Sequence, residues 1–66
     1  MMYLLTWMVM MGNNNEVEMK MILNDRPTAM ATYLDLRFDN NVIYGTMYEL
    51  DENDKVIRDW GFSKEE

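Results

Sequence analysis

The sequence contains neither cysteine nor histidine. Without cysteine, disulfide frameworks and thiolate zinc sites are excluded, and the absence is compatible with the reducing cytoplasm that we expect as the location. Histidine is the commonest general base and the cysteine thiolate is among the best nucleophiles in proteins, so catalysis lacks its usual groups. We therefore expect a protein that is not an enzyme and that carries no cofactor.

Glycine and long apolar runs are also scarce. The three glycines, Gly12, Gly45 and Gly61, are isolated, so the chain has no glycine-rich loop to cradle a phosphate. The apolar opening segment ends at Gly12, whereas a membrane span needs roughly 20 residues. That segment lacks the basic flank and the cleavage site of a signal peptide. We expect a buried strand there and no membrane association.

Positive charge is in short supply. The formal net charge is −6, and residues 35–66 account for −5 of it. Nucleic-acid binding relies on basic groups that displace counterions from phosphates, so an acidic chain is expected to repel nucleic acid. The expected partner is instead another protein with a basic surface.

A chain of 66 residues is predicted to form one compact domain, over residues 1–62, with a frayed acidic tail at 63–66. A domain of this size buries only about 60% of its unfolded surface. Disulfides and thiolate or imidazole metal sites are unavailable to reinforce it, which leaves oligomerisation, and a homodimer is the simplest case.

The first 23 residues predict a β-hairpin. Within residues 2–11, both the odd-numbered and the even-numbered positions are mostly apolar, as in a strand that is buried on both faces. Residues 12–15, Gly-Asn-Asn-Asn, suit a turn because glycine and asparagine tolerate positive φ. Residues 16–23 then alternate, with Val17, Met19, Met21 and Leu23 on a core face and Glu16, Glu18 and Lys20 on a wet face.

The segment 26–38 supports two interpretations. Its second half, TYLDLRF, alternates like a strand, and Thr32 and Tyr33 favour that structure. Against this, Asp25 before Pro27 is typical of a helix start. We predict a strand over about 31–38 and keep a helix over about 26–38 as the alternative.

Two further strands are predicted at 42–50 and 55–62, the first with a bulge at Gly45. The fold class is therefore predicted as all-β, a small five-stranded antiparallel meander or barrel. The alternative is an α+β fold in which one helix at about 26–38 stands between two pairs of strands.

The segment from Tyr48 to Trp60 concentrates acidic and aromatic residues. As a calcium loop that starts at Asp51 it fails, because its fifth, sixth and twelfth positions are lysine, valine and phenylalanine. Adjacent carboxylates in a turn are expected to stay hydrated and ionised, so we predict no metal and no catalytic site here. We predict a docking rim for a partner protein, made of Tyr48, Glu49, Asp51, Glu52, Asp54, Asp59 and Trp60.

A second candidate interface lies on the first strand. If the sheet is a single layer, Leu4, Met8 and Met10 form an exposed apolar stripe. Such patches usually mark an interface, so this stripe is the predicted oligomer contact.

These features lead to two hypotheses about function. In the first, the chain is a small acidic inhibitor that docks on the basic, nucleic-acid-binding surface of another protein. Its size, acidity and lack of cysteine resemble those of antitoxins and of phage proteins that disarm host defences, such as anti-CRISPR proteins; this likeness of type assigns no residue a role. In the second, the chain is a structural module that assembles into a homo-oligomer.

Overall fold

The computed structural model describes residues 1–64 and shows one antiparallel sheet with one α-helix and a single 3-10 turn at Gly12–Asn14. The strands are β1 (Met2–Met11), β2 (Asn15–Leu23), β3 (Val42–Leu50) and β4 (Val56–Ser63), and the helix is α1 (Arg26–Phe38). The order across the sheet is β2-β1-β3-β4. A sheet-dominated antiparallel fold is thus confirmed, in the α+β form that the sequence left as the alternative.

The predicted hairpin is confirmed. β1 and β2 pair without interruption from Tyr3 opposite Leu23 to Met11 opposite Asn15. Asn13 and Asn14 have φ values of 67° and 61°, the left-handed conformation that asparagine tolerates better than most residues. The run of asparagines therefore sets the turn, and the turn sets the register.

The predicted strand over 31–38 is wrong, because this segment is the second half of α1. Asp25 caps the helix by accepting a hydrogen bond from the Thr28 backbone N–H at 2.8 Å, and Pro27 stands in the first turn. The alternation of Leu34 and Phe38 with polar residues suggested a buried strand face, but these two side chains are 46% and 77% exposed. The buried helix face is carried by Ala29 and Tyr33.

The predicted meander order, the barrel and the fifth strand are also wrong. Helix α1 carries the chain from the end of β2 to β3, which then pairs with the far side of β1. β1 thus becomes a central strand, and β2 and β4 form the two edges of a four-stranded sheet.

The core lies between α1 and one face of the sheet. Its buried members come from both central strands and from the helix: Tyr3, Leu5, Trp7, Ala29, Tyr33, Val42 and Met47. The helix packs mainly over β3, less over β1 and least over β2. Most of the apolar area that stabilises the fold is therefore buried on one side of the two central strands.

Gly45 is not the predicted bulge. It pairs regularly with Trp7 and Phe62, and a Cβ built on it would stand 2.9 Å from Cε1 of the Phe62 ring. Glycine is needed here so that this ring can lie against the strand, where its edge-to-face contact with Tyr33 has a centroid distance of 5.6 Å. The register shifts lie elsewhere: Ile43 of β3 is the extra residue opposite Met8 and Val9, and Ile57 of β4 is the extra residue opposite Glu49 and Leu50.

The predicted tail at 63–66 overlaps the end of the sheet. Ser63 is the last residue of β4, and the Lys64 backbone N–H donates to the Ile43 carbonyl at 2.9 Å. Positions 65 and 66 lie outside the described residues. Among residues 1–64, no helix has the length and apolar character needed to cross a membrane.

Candidate protein-binding surface

The sheet face opposite α1, which we call the open face, is not covered by any other element of residues 1–64. Three cross-strand pairs of β1 and β3 run along its middle: Leu4 with Tyr48, Thr6 with Thr46, and Met8 with Tyr44. Met10 and Tyr44 are 37% and 39% exposed. The middle of the open face is therefore an apolar and aromatic stripe interrupted by one pair of threonines.

The predicted oligomer contact, Leu4, Met8 and Met10, belongs to this stripe. The sequence interpretation of β1 as buried on both faces is wrong, because the helix covers only the side of Tyr3 and Leu5. The sheet is a single layer, the case in which these side chains were expected to be exposed. An apolar surface that the fold itself leaves uncovered is the kind that marks an interaction site.

Other members of the open face were missed by sequence reasoning. Ile22 lies opposite Leu4, and Leu50 lies opposite Val56 near the end of the sheet. Ile22 is 64% exposed and Val56 is 47% exposed. Ile22 and Leu50 continue the two-residue periods of Lys20 and Tyr48 on their own strands. Val56 reaches this face only through the register shift before Arg58, so strand pairing was needed to place it.

Charged residues border the stripe on both edge strands. On β2, Glu18 and Lys20 lie opposite Met8 and Thr6, and Glu16 lies opposite Met10. On β4, Asp59 lies opposite Tyr48. Thus Tyr48 and Asp59, two of the predicted docking residues, are cross-strand neighbours on this face.

The turn between β3 and β4 holds three more of the predicted docking residues. Asp51 accepts hydrogen bonds at its Oδ1 from the backbone N–H groups of Asn53 at 2.8 Å and Lys55 at 2.9 Å. Its carboxylate therefore fixes the shape of the turn, as an aspartate commonly does. Glu52 and Asp54 are exposed, and Asp54 has a φ of 62°. The turn is therefore held in one shape by Asp51, and the carboxylates of Glu52 and Asp54 are available to a partner.

The negative charge is unevenly distributed over the domain. The open face and the adjoining turn hold six carboxylates (Glu16, Glu18, Asp51, Glu52, Asp54 and Asp59) and two amines (Lys20 and Lys55), a balance of −4 out of the chain's −6. The side that carries the helix mixes acids and bases more evenly. The apolar stripe therefore lies within the most acidic part of the described chain.

Glu49 does not belong to that surface. It is 2% exposed on the helix side of β3, where its Oε2 accepts a hydrogen bond from the Tyr3 hydroxyl at 3.1 Å. Its Oε1 is 3.6 Å from Nε of Arg58 and accepts no hydrogen bond from residues 1–64. Burial, and then the adjacent Glu49 carboxylate, raise the pKa of the Tyr3 hydroxyl. The geometry gives Glu49 a role inside the fold.

Trp60 is separated from the other predicted anchor, Tyr48. It lies opposite Met47 on the helix side of the sheet, where it packs against the core. Tyr48 lies on the open face. A partner on the open face would contact Tyr44 and Tyr48 but would not reach Trp60.

The described residues offer no enclosed site. No pocket is found, and residues 1–64 contain no group of carboxylates arranged to hold a metal ion. Comparisons of the chain with protein-family models, with curated proteins and with solved structures find no match. Within residues 1–64, the open face and its charge are therefore the features that point to a function.

Proposed function

We propose that this protein is a small acidic interaction module that docks through its open face on the basic, nucleic-acid-binding surface of another protein and blocks it. The observation that supports the proposal is the combination of an uncovered apolar stripe with acidic margins on one face. The apolar stripe supplies area that a partner can bury, and the acidic residues on either side of it favour a basic partner.

The open face has the size of a modest interface. Four strands spaced about 4.8 Å apart, each rising about 3.3 Å per residue over roughly eight residues, span about 500 Å². A standard interface buries about 800 Å² on each partner, so this face together with the acidic turn approaches that size. Tyr44 and Tyr48 stand near its middle, and tyrosine is among the residues that contribute most to binding energy there.

The charge favours a basic partner over a second copy of the same face. Two open faces packed together would bring their acidic margins close to each other, which opposes self-association. A surface that binds nucleic acid offers the complementary charge. Duplex DNA carries one charge per roughly 1.7 Å of axis, so a balance of −4 matches only about 7 Å of duplex. One domain would therefore block a local site and would not imitate a long duplex.

The test is capture of partners from a bacterial lysate by the immobilised protein, followed by binding measurements on the purified partner at low and high salt. The expected partner is basic, is released as salt rises and is displaced by added nucleic acid. Tyr48→Ala and the triple variant Glu52→Gln, Asp54→Asn, Asp59→Asn should each weaken binding at least 10-fold. Leu34→Ala and Asp35→Asn, on the exposed surface of α1, are the matched controls.

A partner that binds the open-face variants and the controls equally would refute the proposal. Recovery of no partner, with the protein eluting above the monomer mass, would favour the structural assembly module. In that case, replacing Met8 and Met10 by lysine distinguishes the two uses of the face: a folded monomer would show that the open face mediates assembly.

A further inference from the structure

The outer edge of β2 is long, regular and uncovered. Within residues 1–64, β2 pairs only with β1, and this pairing continues over nine register positions without a bulge. Edge strands that avoid pairing with other chains are usually short, bulged or interrupted by proline. β4, the other edge, has a register shift near its start, and β2 has neither a shift nor a proline. The backbone groups along β2 are therefore free to pair with one more strand.

The helix side of β2 also lacks its expected cover. The sequence assigns Val17, Met19 and Met21 to a core face, but these side chains are 39%, 43% and 39% exposed. The reason is that α1 packs over β3 and β1, so that only Leu23 of β2 packs against the core. An apolar row thus runs along an unpaired edge.

We propose that two copies of this chain join through their β2 strands, antiparallel, about a two-fold axis at Met19, to form a continuous eight-stranded sheet. In this register Met19 lies opposite Met19 of the second copy, and Val17 lies opposite Met21 of the second copy. On the other face, Glu18 lies opposite Lys20 of the second copy, and the symmetry repeats this pair. The three apolar residues are extended into a row of six, and two cross-strand ion pairs form.

Charge selects this register over its neighbours. Moving the axis to Glu18 would place the two Glu18 carboxylates directly opposite each other, and moving it to Lys20 would do the same to the two lysines. Like charges directly opposite each other destabilise a strand pair. A shift of one residue between the strands would place Glu18 on the same face as Met19 of the second copy, which would mix charged and apolar rows.

The proposed dimer does not rest on the proposed function, although its ion pairs use Glu18 and Lys20, which border the open-face stripe. It uses the edge of β2, leaves the open-face stripe uncovered, and sets two such stripes on the same side of one larger sheet. A protein that dimerises in this way but captures no basic partner would remove only the proposed function.

The first experiment measures mass by light scattering and sedimentation over a range of concentrations. The wild type is expected to be a dimer. Lys20→Glu, which opposes two pairs of glutamates, should raise the dissociation constant at least 10-fold, and the swap Glu18→Lys with Lys20→Glu should restore the dimer. Both positions are exposed, so the fold should survive, and circular dichroism checks this.

The second experiment uses the absence of native cysteine. Residues directly opposite each other on antiparallel strands have Cα atoms about 4.5–5.5 Å apart, within the range of a disulfide. Met19→Cys should therefore form a covalent dimer with oxidised glutathione. Val17→Cys is the matched control, because the two Val17 positions would be four residues apart along the strand, about 13 Å.

A wild type that stays monomeric at every concentration would overturn the proposal. So would a dimer that resists Lys20→Glu but is lost on replacing Met8 by lysine, since that result would place the contact on the open face. Equal rates of cross-linking for Met19→Cys and Val17→Cys would show random collision and would overturn the proposed register.

Discussion

The buried contact between Tyr3 and Glu49 offers a quantitative test of the fold. Tyr3 is 2% exposed, and its hydroxyl donates at 3.1 Å to a carboxylate that is equally buried. A hydrogen bond to a charged group contributes about 1.5–3 kcal/mol, and its loss leaves the buried acceptor without a partner. Arg58 offers limited compensation, because its side chain is 58% exposed and its Nε is 3.6 Å away.

Tyr3→Phe is therefore expected to lower the free energy of unfolding by about 2 kcal/mol. For a domain of this size, that loss corresponds to a fall of about 8–16 °C in Tm. The assay is urea unfolding followed by tryptophan fluorescence, which reports on the buried Trp7. The matched control is Tyr48→Phe on the open face, where we expect a change within about 0.5 kcal/mol.

A double-mutant cycle with Glu49→Met separates the contact from the rest of the site. Glu49→Met alone leaves the Tyr3 hydroxyl buried and without its acceptor, so it should destabilise the fold. The double variant Tyr3→Phe, Glu49→Met replaces both polar groups by apolar ones, and it should lie closer to the wild type than the sum of the two single changes. If Tyr3→Phe left the free energy of unfolding unchanged, or if the effects of the two single changes simply added in the double variant, the proposed contact of Glu49 with Tyr3 would be refuted.

Three further predictions concern other parts of the fold. Because burial, and then the Glu49 carboxylate, raise the pKa of Tyr3 from its ordinary value of 10.0, the stability that Tyr3 contributes is complete below pH 10 and should be lost as pH rises further. This loss should vanish in Tyr3→Phe. Hydrogen bonds from Thr28 lower the pKa of Asp25 from 3.8, so the stability that Asp25 contributes should be present above that pH and should be lost below it. Asp25→Ala should lower the free energy of unfolding by about 1 kcal/mol at neutral pH and should weaken the loss of stability in acid. Asp35→Asn is the control. Gly45→Ala should cost about 1–3 kcal/mol in urea unfolding because its Cβ would meet the Phe62 ring, whereas Gly61→Ala, whose Cβ would meet nothing closer than 3.6 Å, should cost less.

Several elements follow from local patterns in the sequence. The asparagines that tolerate positive φ place the first turn, and Asp51 shapes the turn before β4. The two-residue period correctly groups Val17, Met19 and Met21 on one face of β2. The strands β1, β2, β3 and β4 lie within one residue of their predicted bounds, because these signals involve neighbours along the chain.

The helix shows where local signals conflict. Asp25 and Pro27 predict a helix start, whereas Leu34, Leu36 and Phe38 alternate like a strand. Burying Ala29 and Tyr33 against the sheet favours the helix, and this burial requires strands that are distant in sequence. Propensity over 13 residues is a weak signal beside that packing.

The sequence by itself determined which side chains share a face, the turns, the acidity and the absence of the usual catalytic groups. Only the tertiary structure decided which faces are covered: one side of β1 and β3 lies under α1, Glu49 is buried with Tyr3, and both the open face and the edge of β2 remain exposed. The physical reason is that a two-residue period orders side chains along one strand. What lies above a face, and beside an edge, depends on contacts between segments far apart in the chain.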